Sequence, residues 1–283
     1  MMNCSSHYVQ CLGREIHYTE WGADNSRIVI AWHGLARTGR DMDDLAQWLS
    51  APEQGCRVIC PDTIGRGLSQ WSPDPDREYC LDFYSALATS LVDQLGLTQF
   101  DWVGTSMGGS IGLVAAAGPL RGRINRLVLN DTGPELATAA IDRIRGYAGN
   151  PSAFATVSEM EQYFRTVYKP YGFLTDAQWR RLTETSTRRL PDGRVTPHYD
   201  PAMVQQFVCH PDDYLRWREY DGLQIPVLCL RGENSDLLLE ATALAMARRG
   251  PRARIETIAG CGHAPALNVA DQLGLVTDFL RAA

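Results

Sequence analysis

Short, predominantly apolar runs recur through this chain at 28–32, 56–60, 100–103, 124–129 and 226–230, and they limit the folds open to it. A strand with one wet face alternates apolar and polar residues. A strand covered by helices on both faces reads as a nearly continuous apolar run. Between the runs lie stretches with helical spacing, at 42–49, 79–95, 238–248 and 270–280. In the second of these, Leu81, Tyr84, Leu87, Ala88, Leu91 and Leu95 form one stripe that stops at Gly96. A further strand is expected at 254–259, and the alternating segments 7–12 and 15–21 suit an antiparallel pair turned at Gly13-Arg14. This order predicts an α/β fold with a mostly parallel eight-stranded sheet and helices on both faces.

The rhythm breaks between Pro134 and Leu223, where aromatic residues cluster: Tyr147, Phe154, Tyr163, Phe164, Tyr168, Tyr171, Phe173 and Trp179. The stretch reads as several amphipathic helices with a turn at Pro191-Asp192-Gly193. Strand–helix alternation resumes afterwards. The expected organisation is a core of residues 1–133 and 224–283 with a cap inserted at 134–223.

Residues 104–108, Gly-Thr-Ser-Met-Gly, form a G-x-S-x-G pentapeptide. A bare match carries little weight in a chain with 25 glycines. Its setting carries more, because a strand run precedes it and the small-residue run 109–117 suits a helix after it. A serine on a sharp strand-to-helix turn is a nucleophile elbow, with the hydroxyl held clear of the sheet. The helix N-terminus beneath it favours negative charge.

Such a hydroxyl needs a base, and in this setting the chain order is serine, acid, histidine. His263 lies in the glycine-rich loop Gly260-Cys261-Gly262-His263-Ala264-Pro265, between the last strand and the last helix. Of the other histidines, His7 and His17 fall in the first hairpin and His198 and His210 in the cap. The expected acid is Asp236, in the loop after strand 226–230; Asp131, at the end of the preceding core strand, is the alternative. Glu233 follows its strand so closely that a structural role is expected of it. Developing negative charge on an attacked carbonyl calls for two backbone donors, assigned to the N–H groups of Met107 and Leu35. His33 is expected to brace the Leu35 loop.

His33-Gly34, the segment 61–69 (Pro-Asp-Thr-Ile-Gly-Arg-Gly-Leu-Ser), the elbow 104–109, Asp236 and Gly262-His263 together resemble the α/β-hydrolase superfamily, in its usual order. The resemblance covers nearly the whole chain outside the cap. It implies catalytic residues Ser106, Asp236 and His263, and it makes Asp62 and Arg66 loop-bracing residues. Serine at the nucleophile position departs from the aspartate of the related haloalkane dehalogenases and epoxide hydrolases.

The net charge of −6 and pI near 5.5 argue against a nucleic-acid surface. No apolar run approaches a membrane span, and residues 1–10 lack the pattern of a signal peptide, so the expected compartment is the cytoplasm. Cys56, Cys60 and Cys229 sit in apolar runs and read as buried free thiols. No metal or organic cofactor is implied. The expected partner is a small-molecule ester or related carbonyl compound, hydrolysed through an acyl-enzyme on Ser106. Carbon–carbon-bond or enol-lactone hydrolysis and a non-catalytic ligand receptor are the alternatives. The cap arginines 180, 181, 188 and 189 are expected at the solvated surface.

Overall fold

The computed structural model describes residues 4–282. Met1–Asn3, which begin the polar N-terminal stretch, lie outside the described residues. Strands β1 (Cys4–Cys11) and β2 (Arg14–Trp21) form the antiparallel hairpin. There follow β3 (Arg27–Trp32), α1 (Asp43–Ser50), β4 (Cys56–Pro61), the short α2 (Pro75–Glu78), α3 (Leu81–Gln94), β5 (Phe100–Thr105), α4 (Met107–Ala117) and β6 (Ile124–Asn130). The next segment carries α5 (Thr138–Ala148), α6 (Val157–Val167), α7 (Asp176–Thr185), β7 (Thr187–Arg189), β8 (Val195–Pro197), α8 (Gln206–Cys209) and α9 (Trp217–Asp221). The chain then returns through β9 (Val227–Gly232), α10 (Glu240–Met246), β10 (Arg254–Ile258) and α11 (Ala270–Arg281).

The eight core strands run in the order β1-β2-β4-β3-β5-β6-β9-β10. From β4 to β10 all neighbours are parallel, while β2 pairs antiparallel with both β1 and β4. Alternate strand residues feed two separate hydrophobic cores, which explains the continuous apolar runs. Ile30, Trp32, Trp102, Leu127 and Leu129 pack with Leu87, Leu91 and Ile111 of α3 and α4. Val29, Ala31, Val103 and Val128 pack on the other face with Leu45, Leu49, Val276 and Leu280 of α1 and α11. Cys56, Cys60, Cys229 and Cys261 are buried free thiols in these layers. Among the described residues, no helix is long and apolar enough to cross a membrane.

Two features of this topology create a site. The chain leaves β3 for β4 on one side and reaches β5 on the other, so the loops after β3 and β5 diverge at their carboxyl ends and open a crevice. The segment between β6 and β9 then supplies a roof. It has a small core of its own, in which Met160, Phe164, Trp179, Leu182 and Val195 pack together. The turn expected at 191–193 is present, and the residues on either side of it form the short antiparallel strands β7 and β8, not helices. Carbonyl groups of the roof segment also hold a core loop: the Gly262 N–H donates to the Pro170 carbonyl at 2.7 Å, and the Ala266 N–H to the Tyr171 carbonyl at 3.2 Å.

Candidate active site

Strand β5 ends at Thr105 and α4 begins at Met107, leaving Ser106 alone at the turn with φ 53° and ψ −121°. A positive φ strains a residue with a side chain, and it persists only where the surroundings impose it. Here the flanking glycines impose it. A Cβ on Gly104 would lie 2.3 Å from the Gly108 carbonyl, and one on Gly108 would lie 2.4 Å from the Trp32 carbonyl. Without side chains at both positions, α4 drops close onto β5 and β3, and the turn is forced tight. The Ser106 N–H donates to the Asn130 carbonyl at 2.9 Å, tying the elbow to the end of β6.

His263 meets Ser106 directly: its Nε2 is 2.9 Å from Ser106 Oγ. Its other nitrogen, Nδ1, is 2.7 Å from Oδ2 of Asp131, not from Asp236. The expectation that Asp236 would hold the imidazole is therefore corrected. Asp131 is wholly buried, at φ 54° just beyond β6. Its Oδ1 accepts the Gly232 N–H at 2.8 Å, and its Oδ2 also accepts the Ser235 hydroxyl at 2.6 Å. Apart from His263 itself, one donor thus holds each carboxylate oxygen, which fixes the orientation of Asp131 toward His263.

Asp236 is one residue beyond the serine that points inward. Its carboxylate is about half exposed and takes two hydrogen bonds from Arg143 of α5, at 2.7 and 3.1 Å. It joins the loop after β9 to the roof at the cavity mouth. Glu233 is also structural, its carboxylate accepting the Gly260 N–H at 2.9 Å. Asn130, which the sequence did not single out, donates to the Pro265 carbonyl at 2.8 Å and to Thr105 Oγ1 at 3.0 Å, fixing the His263 loop beside the elbow.

The two expected backbone donors belong to chain segments next to Ser106: Met107 follows it directly, and a Cβ on Gly34, beside Leu35, would lie 3.6 Å from Ser106 Cβ. Met107 opens α4, where a first-turn N–H has no intrahelical acceptor. Leu35 lies in the loop after β3 and lines the same cavity as Ser106. Among the described residues, no hydrogen-bond acceptor takes either N–H. Arg66 braces both sides of this pair from a fully buried position. Its Nε donates to the Leu35 carbonyl at 2.9 Å, and its Nη2 approaches Met107 Sδ at 3.6 Å. Asp62 holds the adjoining loop, accepting N–H groups of Gly39 at 2.7 Å and Leu68 at 2.9 Å.

His33 is wholly buried and braces the Leu35 loop. Its Nδ1–H donates to the Gly34 carbonyl at 2.6 Å, while Nε2 accepts the Thr63 N–H at 2.9 Å. Acceptance at Nε2 requires the neutral ring. Burial, the largest influence, pushes its pKa down to about 4 from 6.5. Between these values the unfolded chain binds a proton that the folded chain refuses. Folding stability is therefore full above pH 6.5 and falls as pH drops toward 4, by about 3 kcal/mol from this group. We expect His33→Gln to flatten the urea-unfolding free energy between pH 6.5 and 4, even if its stability at pH 8 is lower. Parallel pH profiles for the two proteins would refute the assignment.

The cavity above Ser106 has a volume of about 320 Å³. Leu35, Ser106 and His263 form part of its floor, and Tyr147, Tyr168 and Tyr171 come from the roof. Phe164 and Trp179 pack inside the segment itself, and Tyr168 belongs both to that small core and to the cavity wall. Among the described residues, no group of three His, Cys, Asp or Glu side chains is arranged to hold a metal ion. The arrangement provides a hydroxyl, a base in contact with it, a buried anion behind the base, and two free amides. That set can carry out acyl transfer to and from Ser106.

Residues 27–268 match the α/β-hydrolase fold family. A 3-hydroxybutyrate-oligomer hydrolase of Cupriavidus necator is 35% identical, over 98% of this chain and 97% of its own length. A 2-hydroxymuconate semialdehyde hydrolase of a Pseudomonas species is 29% identical, over 84% of this chain and 82% of its own. The crystal structure of an α/β hydrolase from Novosphingobium aromaticivorans superposes with a TM-score of 0.86 at 32% identity, covering 99% of each chain. The match spans most of the sheet, the elbow and the histidine loop, and the chain belongs to the α/β-hydrolase fold family.

Proposed function

We propose that this protein is a serine hydrolase of carboxylic esters, and that its natural substrates are short esters of hydroxy acids. The observation that carries the mechanism is the unbroken chain from Asp131 through His263 to Ser106, at 2.7 and 2.9 Å, with the serine on a strained elbow. Ser106 Oγ attacks the ester carbonyl as His263 Nε2 takes its proton. The carbonyl oxygen gains charge and is held by the Leu35 and Met107 N–H groups. The acyl C–O bond breaks, and the leaving alkoxide departs with the proton from His263. Water, deprotonated by the same imidazole, then releases the acid from Ser106. Asp131 keeps the proton on Nδ1, so that Nε2 is free to accept, and balances the imidazolium charge.

The hydroxy-acid preference rests on similarity to the 3-hydroxybutyrate-oligomer hydrolase across nearly the full length of both chains. Fluorophosphonate labelling combined with turnover tests the reading. We expect one label per chain on Ser106, complete loss of 4-nitrophenyl ester hydrolysis on labelling, and slower turnover of a vinylogous 1,5-diketone than of short esters. Ester hydrolysis that survives full labelling would end the proposal. Faster cleavage of the diketone would replace it with carbon–carbon-bond hydrolysis by the same residues.

A further inference from the structure

Arg37 follows Leu35 by two residues and forms part of the wall of the Ser106 cavity. Its side chain is only 4% exposed. Nε and Nη2 donate to Asp41 at 2.6 and 2.7 Å, and Nη2 also donates to Ser186 Oγ at 2.9 Å. The guanidinium lies over the Tyr168 ring, 4.7 Å from its centroid, with Phe164 at 5.5 Å. Among the described residues, Nη1 has no hydrogen-bond partner. A buried cationic donor left unmatched is costly, and such groups call for an explanation.

The other cations near the cavity are committed elsewhere. Arg143 stands at the mouth, half exposed and paired with Asp236. Arg181, expected at the surface, pairs with Asp44 at 2.6 Å and fastens the roof to the core. Arg40 pairs with Asp43 at 2.7 Å. Among the described residues, Arg37 alone combines deep burial, a place in the cavity wall and an unmatched N–H. Asp41 already neutralises one edge of its guanidinium, so the remaining edge suits a single negative charge more than a dianion. We infer that Arg37 Nη1 receives a carboxylate of the substrate, so that the esters cleaved at Ser106 carry a free acid group.

This inference rests on the ester reading and sharpens it. In an ester of two hydroxy acids the free carboxylate belongs to the alcohol portion. Attack by Ser106 breaks the acyl C–O bond, and the alkoxide takes its proton from His263. It leaves as a hydroxy acid whose carboxylate has remained on Arg37. Cleavage therefore proceeds from the carboxyl end of a short oligomer. A neutral ester in the same position leaves Nη1 unmatched and is discriminated against.

The test compares the linear dimer of 3-hydroxybutyrate with its terminal carboxamide, a neutral isostere. We expect wild type to favour the acid by about 100-fold in kcat/KM, chiefly through KM. Arg37→Gln should bring that ratio below about threefold, and Arg37→Lys should restore part of it. The ratio is internal to each variant, so a general loss of activity does not affect it. A wild-type ratio near one, or one unchanged in Arg37→Gln, overturns the inference. Calorimetry on intact wild type supplies a second measurement if the variants fail to fold. Free 3-hydroxybutyrate should bind at least tenfold more tightly than its carboxamide, and equal binding would overturn the proposal. Failure of the ester reading looks different, since neither dimer would then be cleaved while the binding preference persisted.

Discussion

Ser106→Ala should lower kcat for short esters by about 10⁵-fold or more, with KM changed little. In the proposed mechanism the hydroxyl forms the bond to the acyl group, and no neighbouring side chain can replace it. The residual rate should exceed that in water, because the Leu35 and Met107 amides and the cavity remain. The fold should tolerate the change, since Ser106 Oγ has His263 as its side-chain partner and the strained turn is imposed by the glycines around it. A second arrangement makes the experiment sharper. Ser6 Oγ lies 2.7 Å from His17 Nε2, whose Nδ1 lies 2.7 Å from Asp62 Oδ2, so Ser6, His17 and Asp62 repeat the contacts of a catalytic triad. Yet Ser6 sits within extended strand β1, with no elbow and no helix N-terminus behind it, and Asp62 is occupied in holding the 62–68 loop. Ser6→Ala should therefore leave kcat within twofold of wild type. An exchange of the two phenotypes would transfer the chemistry to the hairpin.

The contrast shows which parts of this molecule are written locally. Sheet strands buried on both faces are apolar over most of their length, so β3, β4, β5, β6 and β9 stand out in the sequence. The elbow stands out because its geometry demands small residues at Gly104 and Gly108, and those demands act within a few residues of Ser106. His263 follows from the need for a base in a loop at the same sheet edge. The acid is different, because two aspartates lie on loops at that edge and the sequence order favours Asp236, whereas the structure places Asp131 against His263. Which one reaches His263 depends on how the chain turns after β9. There Ser235 points inward to Asp131, and Asp236 points outward to Arg143. That turn is set by contacts with the histidine loop, such as Asn234 N–H to the Cys261 carbonyl at 2.8 Å, which no local pattern reveals. Arg37 was hidden for a similar reason. Its unmatched N–H appears only once Asp41, Ser186 and the Tyr168 ring have taken their places around it.

Asp131→Asn should reduce kcat by about 10⁴-fold while Asp236→Asn stays within threefold of wild type. The first change preserves shape but reverses a hydrogen bond. Gly232 N–H still needs an acceptor at Oδ1, so the new amide nitrogen must occupy the place of Oδ2. It would then donate to His263 Nδ1, forcing the ring proton onto Nε2, where it blocks acceptance from Ser106. The Ser235 hydroxyl can adapt, because a hydroxyl donates or accepts, so the defect should fall on the imidazole and not on the loop. The second change removes only an exposed ion pair, in which both side chains are about half accessible to solvent. Pairs of that kind contribute from nothing to about 1 kcal/mol. Steady-state kinetics on a short ester, with circular dichroism to confirm that both variants are folded, separates the two carboxylates. A 10²-fold or greater loss in Asp236→Asn with an active Asp131→Asn would show that the loop after β9 rearranges and delivers Asp236 to His263 in the working enzyme. The reverse result places the acid at the end of β6, one strand earlier than its position in the sequence order suggests.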